Sequence, residues 1–350
     1  MLRTRLALAV IGLGWPGAAA SETPAKPAAN LAPGFAGMGA GTSGGLGGAT
    51  VRVSTGAELQ AAIEAAVGPT VILVDGTVTP ANSGDLTAIT IAAKRDLSVI
   101  GAGPGADISG LGFHVKGGSS NLIFRNLRIH EVRLGPRDAL GIEGPSRNIW
   151  VDHCEFYGSL DAGKDVYDGL LDVKRGAAYV SVTHSHFHDH HKVSLNGYSD
   201  EDRGERFITF AHNRFESVGS RLPLQRFGFA HIYENLYRDV RLSAINVRMG
   251  GVARIENNVF ERVHDPIVSM DSRAVGYWDL SGNVMGPGVT WSRPARTGAS
   301  AQDGRSTGSY APPYAYTLMD PDRVAAFVLA NAGVGRLGAD AIPASPPPRP

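Results

Sequence analysis

The stretch FAHNRFESVGSRLPLQRFGFAHIYENLY, residues 210–237, contains one short pattern twice. In AHNRF and again in YENLY, an asparagine is followed two positions later by a large aromatic residue. The two asparagines, Asn213 and Asn235, are 22 residues apart. That interval is too short for a strand–helix–strand crossover, which needs ~30 residues. It predicts one turn of a coil built from short parallel strands.

The same pattern recurs along most of the chain, in RNLRI, DHCEF, THSHF, ENNVF and SGNVM. The marker positions are Leu127, Cys154, Ser185, Asn213, Asn235, Asn258 and Asn283, and the apolar partners are Ile129, Phe156, Phe187, Phe215, Tyr237, Phe260 and Met285. Successive markers are 27, 31, 28, 22, 23 and 25 residues apart. We therefore predict an all-β parallel β-helix in which the four asparagines form a ladder of stacked amides. A β-sandwich is the alternative, but the Asn-Gly and Asp-Gly turns of tight hairpins are scarce between these strands.

The ends of such a coil must be covered. After Ser54 or Thr55 as N-cap, the segment GAELQAAIEAAVG has a helical apolar face and stops at Gly68-Pro69. It predicts an N-terminal capping helix. A second helix over about 321–332 follows the last repeat and is expected to fold back onto the coils.

Composition and the chain termini indicate an exported protein. With 350 residues, a net charge of zero and a pI near 7.2, the chain has no general basic footprint for nucleic acid. Residues 1–20 have the layout of a signal peptide, and no segment is long enough for a membrane span. We predict a flexible lead-in over 21–33, the β-helix domain over 34–340 and a Pro-rich disordered tail over 341–350. The single cysteine, Cys154, is expected to be a buried, inert thiol.

Charged residues cluster in a way that indicates anionic chemistry. Arg221 and Arg226 are five residues apart, and guanidinium groups suit bidentate contact with carboxylates. Upstream, Asp138, Asp168 and Asp172 offer hard oxygen ligands of the kind that calcium prefers. Arginines beside an acidic cation site favour a polyanionic ligand, with a metal bridging protein and ligand carboxylates.

Several motifs in the right order resemble the pectate lyase family of polysaccharide lyases. They run from TSGGLGG and VRVSTGAELQAAI through SVIGAGPGADISGLGF, NLIFRNLRI and NIWVDHCEF to YDGLLDVKRG and SRLPLQRFGFAHIYENLY. The likeness covers nearly all of residues 34–337. It implies a right-handed parallel β-helix and a secreted enzyme, extracellular or periplasmic, that is expected to be a monomer.

The resemblance also implies roles for individual residues. The calcium ligands would be Asp138, Asp168 and Asp172. Lys192 in HDHHK and Arg226 would bind the substrate, and Arg221 would be the Brønsted base. The reaction expected is β-elimination on polygalacturonate, in which the proton on C5 is removed and the C4–O4 bond breaks. Because arginine is protonated near neutral pH, its use as a base requires neighbouring cations that favour the neutral form.

One departure from the family pattern leaves alternatives open. Some members carry an acid two positions before the first calcium aspartate, where this chain has Pro136 followed by Arg137. In the related pectin lyases a basic residue replaces calcium, so Arg137 allows activity on methyl-esterified pectin. A non-catalytic β-helix that binds glycans is the alternative from another class, because solenoids serve many functions.

Five histidines occur between residues 184 and 191. On an ideal strand His184, His186, His188 and His190 would share one face and could bind a transition metal. The alternative is that this run only turns a corner on its way to Lys192, as the likeness of His188-Asp189-His190 to the family motif implies.

Overall fold

The protein was analysed as a computed structural model that describes residues 31–204, 206–292 and 298–337. The predicted signal peptide, most of the predicted lead-in and the Pro-rich tail lie outside these ranges. Neither of the α-helices in the described ranges is long and apolar enough to cross a membrane.

The predicted parallel β-helix is confirmed. The chain winds through three long sheets, called sheets A, B and C here, and each turn contributes one strand to each sheet along most of the coil. Neighbouring strands within a sheet are parallel, except that the last strand of sheet C runs antiparallel to the one before it. The solenoid has about nine turns.

The strand bounds follow the stacking order. Sheet A comprises Ala49–Val53, Thr70–Val74, Arg95–Gly101, Ser120–Arg125, Arg147–Asp152, Ala178–Thr183, Phe207–Ala211, Phe229–Tyr233, Val252–Glu256 and Tyr277–Ser281. Sheet B comprises Thr77–Val78, Ala106–Ser109, Leu127–His130, Glu155–Tyr157, His186–Lys192, Arg214–Ser220, Leu236–Val240, Val259–Val263 and Val284–Met285. Sheet C comprises Ile89–Ala92, Phe113–Lys116, Leu140–Glu143, Leu171–Lys174, Leu195–Asn196, Leu224–Arg226, Ile245–Arg248, Ile267–Ser269 and Ala299–Ser300.

The repeat read from the sequence is the register of sheet B. All seven apolar partners, from Ile129 to Met285, pair in one row across its strands. The five aromatic members of the row stack with ring centroids 5.0, 5.1, 4.9 and 4.7 Å apart. Stacked rings fill the interior because each turn repeats the inward position of the turn below.

The predicted asparagine ladder is also confirmed. The side-chain amide of Asn213 donates to Oδ1 of Asn235 at 3.0 Å, Asn235 donates to Asn258 at 2.9 Å, and Asn258 donates to Asn283 at 3.0 Å. Each Oδ1 also accepts the backbone N–H of the preceding asparagine. The ladder therefore satisfies polar groups inside the corner that joins sheets A and B.

Both predicted helices are present. The first, Gly56–Ala65, begins with a capping box between Thr55 and Glu58 and packs Leu59 and Ile63 into the main core. The second, Pro321–Asn331, is capped by Asp320 and folds back onto the coil. Its buried Val324 and Val328 join Leu236 and Val259 of sheet B in one apolar cluster.

Candidate active site

Two buried carboxylates lie at the N-terminal ends of two neighbouring strands of sheet C. Asp138 lies just before the strand Leu140–Glu143 and accepts the backbone N–H of Gly169 at 3.1 Å. Asp172 lies in the next strand and accepts the backbone N–H of Leu195 at 3.0 Å. A side chain at position 169 would collide with the Asp172 carboxylate, since a Cβ there would lie 2.4 Å from Oδ1. The absence of a side chain at Gly169 therefore leaves room for the Asp172 carboxylate.

The ammonium group of Lys174 lies between these carboxylates. It hydrogen-bonds Oδ2 of Asp138 and lies 3.6 Å from Oδ2 of Asp172. Burial is the main cause, and the negative charge of Asp138 the second, of a rise in the pKa of Asp172 to about 7. Two neighbouring buried carboxylates oppose each other's ionisation, and their oxygen atoms are ligands of the kind that a divalent ion such as calcium takes.

Asp168 is paired with a different lysine. Its Oδ1 is 3.1 Å from Nζ of Lys192, which also lies 3.2 Å from Oδ1 of Asp165. In the described part of the chain, some acidic and histidine side chains form groups of three whose ligand atoms all lie within 4.8 Å of one another. Asp138, Asp168 and Asp172 do not form such a group. The structure thus brings Asp138 and Asp172 together and pairs Asp168 with the predicted substrate lysine.

Arg221 occupies the corner between sheets B and C. It follows the strand Arg214–Ser220, and its positive φ of 68° turns the chain toward the strand Leu224–Arg226. Its carbonyl accepts the backbone N–H of Ser194 at 2.8 Å. The guanidinium is half-buried, and its charge acts on the Asp172 carboxylate. The corner therefore places this cation beside the acidic pair.

Arg226 is buried and held rigidly from two sides. Its Nε donates to Oδ1 of Asp200 at 2.8 Å and its Nη1 donates to the carbonyl of Gly197 at 2.8 Å. Burial alone would raise the pKa of Asp200. Hydrogen bonds from the backbone N–H of Arg273 and from the side chain of Arg226 outweigh that effect and lower the pKa to about 2. Asp200 is therefore a charged brace that orients Arg226.

A cleft of about 470 Å³ contains both predicted arginines and a third, Arg248. Arg248 is the register partner of Arg226 on the next strand of sheet C. Burial, and then the charge of Arg226, lower the pKa of Arg248 to about 10. Three guanidinium groups lining one cleft favour an anionic ligand with several carboxylates.

Sequence reasoning missed Lys174, Asp200 and Arg248. Lys174 had a usable signal, because it follows Asp172 by two positions in LLDVK and alternate residues of a strand share a face. Asp200 and Arg248 had none, since each comes from a turn whose register with the other arginines only the fold reveals.

The histidine run does not form one face. Asp189 has a positive φ of 47°, which interrupts the strand alternation and turns His190 into the interior. His186 and His188 remain together on the outer face, with ring centroids 4.4 Å apart. The expectation that four histidines would share one face holds for these two alone.

Comparisons with known proteins agree with this geometry. The family model described as pectate lyase matches residues 6–337. A pectate trisaccharide-lyase from Bacillus licheniformis is 45% identical over 306 residues, which cover 87% of this chain and 86% of that protein. A pectate lyase from Emericella nidulans is 35% identical over 86% of this chain and 87% of its own length.

Solved structures share the architecture. Pectate lyase II from Xanthomonas campestris superposes with a TM-score of 0.76 and 34% identity, over 87% of this chain and 99% of that one. A pectate lyase from Bacillus sp. N165, solved in complex with trigalacturonate, gives a TM-score of 0.79 and 31% identity over the same shares. The β-helix and its arginine-lined cleft are those of a polysaccharide lyase. The chain belongs to the pectate lyase family.

Proposed function

We propose that this protein is a secreted, calcium-dependent pectate lyase that cleaves (1→4)-α-D-galacturonan by β-elimination and releases 4,5-unsaturated oligogalacturonides. The observation that carries the proposal is a cleft lined by three arginines and by Leu195, whose backbone N–H is bound by the buried carboxylate of Asp172. That arrangement suits a polyanionic substrate and a bridging cation at once.

The C5 proton of a uronate is barely acidic because the neighbouring carboxylate is already negative. Arg226 and Arg248 would neutralise substrate carboxylates, and Lys192 would add a third positive charge. These cations favour a neutral guanidine at Arg221, which would take the C5 proton as the C4–O4 bond breaks. The departing O4 would then be protonated by solvent.

Asp138, Asp172 and Asp168 would hold the calcium ion. When bound, calcium would supply Lewis-acid stabilisation of the charge that develops on the substrate carboxylate. For this set to assemble, Lys174 would leave the gap between Asp138 and Asp172 and face the substrate, and Asp168 would exchange Lys192 for the metal. Both lysines would thereby become available to substrate carboxylates.

Action on methyl-esterified pectin is the second candidate. Lys174 favours it, because a basic residue between the two carboxylates would make a metal dispensable. Arg137, the residue that raised this alternative in the sequence, donates a hydrogen bond to the carbonyl of Asp165 at 2.8 Å. Its guanidinium is therefore engaged away from the acidic pair, which supports the calcium-dependent function.

The test compares polygalacturonate with highly methylated pectin, with calcium and then with chelator. We expect ultraviolet absorbance of the unsaturated product to rise with polygalacturonate and calcium and to stop on chelation. Chelator-resistant activity with faster cleavage of methylated pectin would instead establish the second candidate. No product from either substrate would contradict both.

Export and a monomeric state belong to the same proposal. Residues 1–20 support export through their charged start, apolar run and small-residue end. Mass spectrometry of protein secreted by a host carrying the full chain should show cleavage near Ala20, and light scattering should give the mass of one chain.

A further inference from the structure

A second cluster of ligating side chains lies on the outer face of sheet B. Ligand atoms of Glu155, His186 and His188 all lie within 4.8 Å of one another. Glu155 is in the strand Glu155–Tyr157 and pairs in register with His186 on the next turn. The cluster thus spans two neighbouring turns. The strand that carries both histidines reaches Lys192 four residues beyond His188, roughly 13 Å at the rise of a β-strand.

One member of this cluster, His186, has an unsatisfied ring nitrogen. Its Nε2 is buried and has no hydrogen-bond partner. The nearest acidic oxygen, Oε2 of Glu216, is 3.8 Å away, which is too far for a hydrogen bond. A buried imidazole lone pair without a partner is costly unless something binds it.

The other two groups are already oriented by neighbours. Nδ1 of His188 lies 2.7 Å from Oδ2 of Asp189, while its Nε2 lies 3.2 Å from Oε1 of Glu155. Arg128 donates from Nε to the other oxygen of Glu155 at 2.9 Å. A carboxylate on the far nitrogen of a ligating histidine is the usual outer-shell arrangement of metal sites.

A competing cluster contains Asp152, His153 and His184. Its carboxylate is committed already, to Arg125 at 3.0 Å and to the Thr183 hydroxyl at 2.6 Å. A metal there would have to displace a buried guanidinium. In the cluster on sheet B, Arg128 holds only one oxygen of Glu155 and Nε2 of His186 has no partner, so a metal would displace only the contact between His188 and Glu155.

We propose that Glu155, His186 and His188 form a Zn²⁺ site that is distinct from the calcium-binding aspartates. Two imidazole nitrogens and one carboxylate oxygen are zinc ligands, whereas calcium takes oxygen ligands. Glu216 or water would complete the coordination. Because the ligands come from two turns, bound zinc would cross-link the coil and stabilise the folded state.

The full chain without a histidine tag, stripped of metal and held in saturating calcium, should be titrated with zinc by calorimetry. We expect one zinc ion per chain, and Co²⁺ in place of zinc should give visible absorption bands of a low-coordinate site. His188→Gln and Glu155→Gln should each weaken zinc binding ~10–100-fold. Zinc should raise the melting temperature of the unmodified chain and leave that of either variant nearly unchanged.

His153→Gln is the matched control, and it should retain zinc binding. Loss of binding in His153→Gln with retention in His188→Gln would place the metal at the competing cluster and overturn the proposal. Absence of zinc binding at micromolar concentrations would overturn it too. If circular dichroism shows that His186→Gln is folded, it serves as a third test variant. If it does not fold, the variants at the less buried His188 and Glu155 are sufficient for the test.

Discussion

Nζ of Lys192 lies 3.1 Å from Oδ1 of Asp168. A residue expected to bind the substrate is therefore paired with a residue expected to bind the metal. Under the proposed function each would exchange this partner for its ligand, so calcium and substrate should favour each other's binding. Reciprocal coupling of this kind is a thermodynamic necessity when two ligands release one shared contact.

Replacement of Lys192 by methionine should separate the effect of this lysine on calcium binding from its effect on substrate binding. Asp168 would lose a competing cation, so calcium affinity without substrate should rise several-fold. KM for polygalacturonate should rise ~10-fold, because a substrate carboxylate loses its ammonium partner. Calorimetry and steady-state kinetics measure the two quantities. Lys164→Met, at an exposed lysine nearby, is the control and should change neither. A fall in calcium affinity would show that Lys192 supports the metal site.

Asp172→Asn should abolish calcium-dependent activity and preserve the β-rich fold. The amide keeps the shape of the carboxylate but removes the charge that a cation requires. We expect at least ~100-fold weaker calcium binding, measured by calorimetry, with an unchanged far-ultraviolet dichroism spectrum. The exposed Asp303→Asn serves as the control. Full calcium response in Asp172→Asn would remove this residue from the metal site.

The raised pKa of Asp172, about 7, predicts opposite pH trends without and with calcium. An unfolded aspartate has a pKa of ~4. In the metal-free protein the stabilisation from this group is therefore full below that value and is lost as pH rises through about 7. Calcium needs the ionised form, so its affinity should weaken up to ~10-fold per unit as pH falls below about 7. The rise in melting temperature on adding calcium should be larger at alkaline than at acidic pH, and Asp172→Asn should flatten this difference.

Arg221→Lys tests whether Arg221 is the base that removes the C5 proton of the substrate. The ammonium keeps the charge but cannot occupy the position of the guanidinium, so turnover should fall by ~10³-fold or more while substrate binding changes little. Arg226→Lys should instead weaken binding and turnover together, because it loses its hydrogen bond to Asp200. Single-turnover rates and equilibrium binding of an oligogalacturonate distinguish the two patterns. Near-normal turnover in Arg221→Lys would make Arg221 a carboxylate clamp.

The asparagine ladder should contribute unequally along its length. Asn235→Ala would leave the buried backbone N–H of Asn213 without its acceptor and would remove one hydrogen bond each from the Asn213 amide, Oδ1 of Asn258 and the carbonyl of Phe210. We expect a cost of about 2–4 kcal/mol of unfolding free energy. Asn283→Ala, at the last rung and partly exposed, should cost about half as much. Urea denaturation measures both, and equal costs would contradict a ladder whose interior rungs matter most.

The coil could be predicted from the sequence. Inward positions repeat in every turn, so the spacing of Asn213, Asn235, Asn258 and Asn283 reports the turn length directly, and the register of sheet B follows from it. Local capping chemistry likewise contributed to the prediction of the first helix, because the groups that satisfy a helix end lie within a few residues of it.

The meeting of the charged residues depends on the stacking of the turns. Lys174 lies between Asp138 and Asp172, Asp200 braces Arg226, and Arg248 lies beside Arg226 in the cleft, each through residues from different turns. Within the histidine run, one residue with a left-handed backbone sends His190 inward and leaves His186 and His188 outside. Such contacts depend on the stacking of turns and on single backbone dihedrals, and a residue pattern along one chain encodes neither directly.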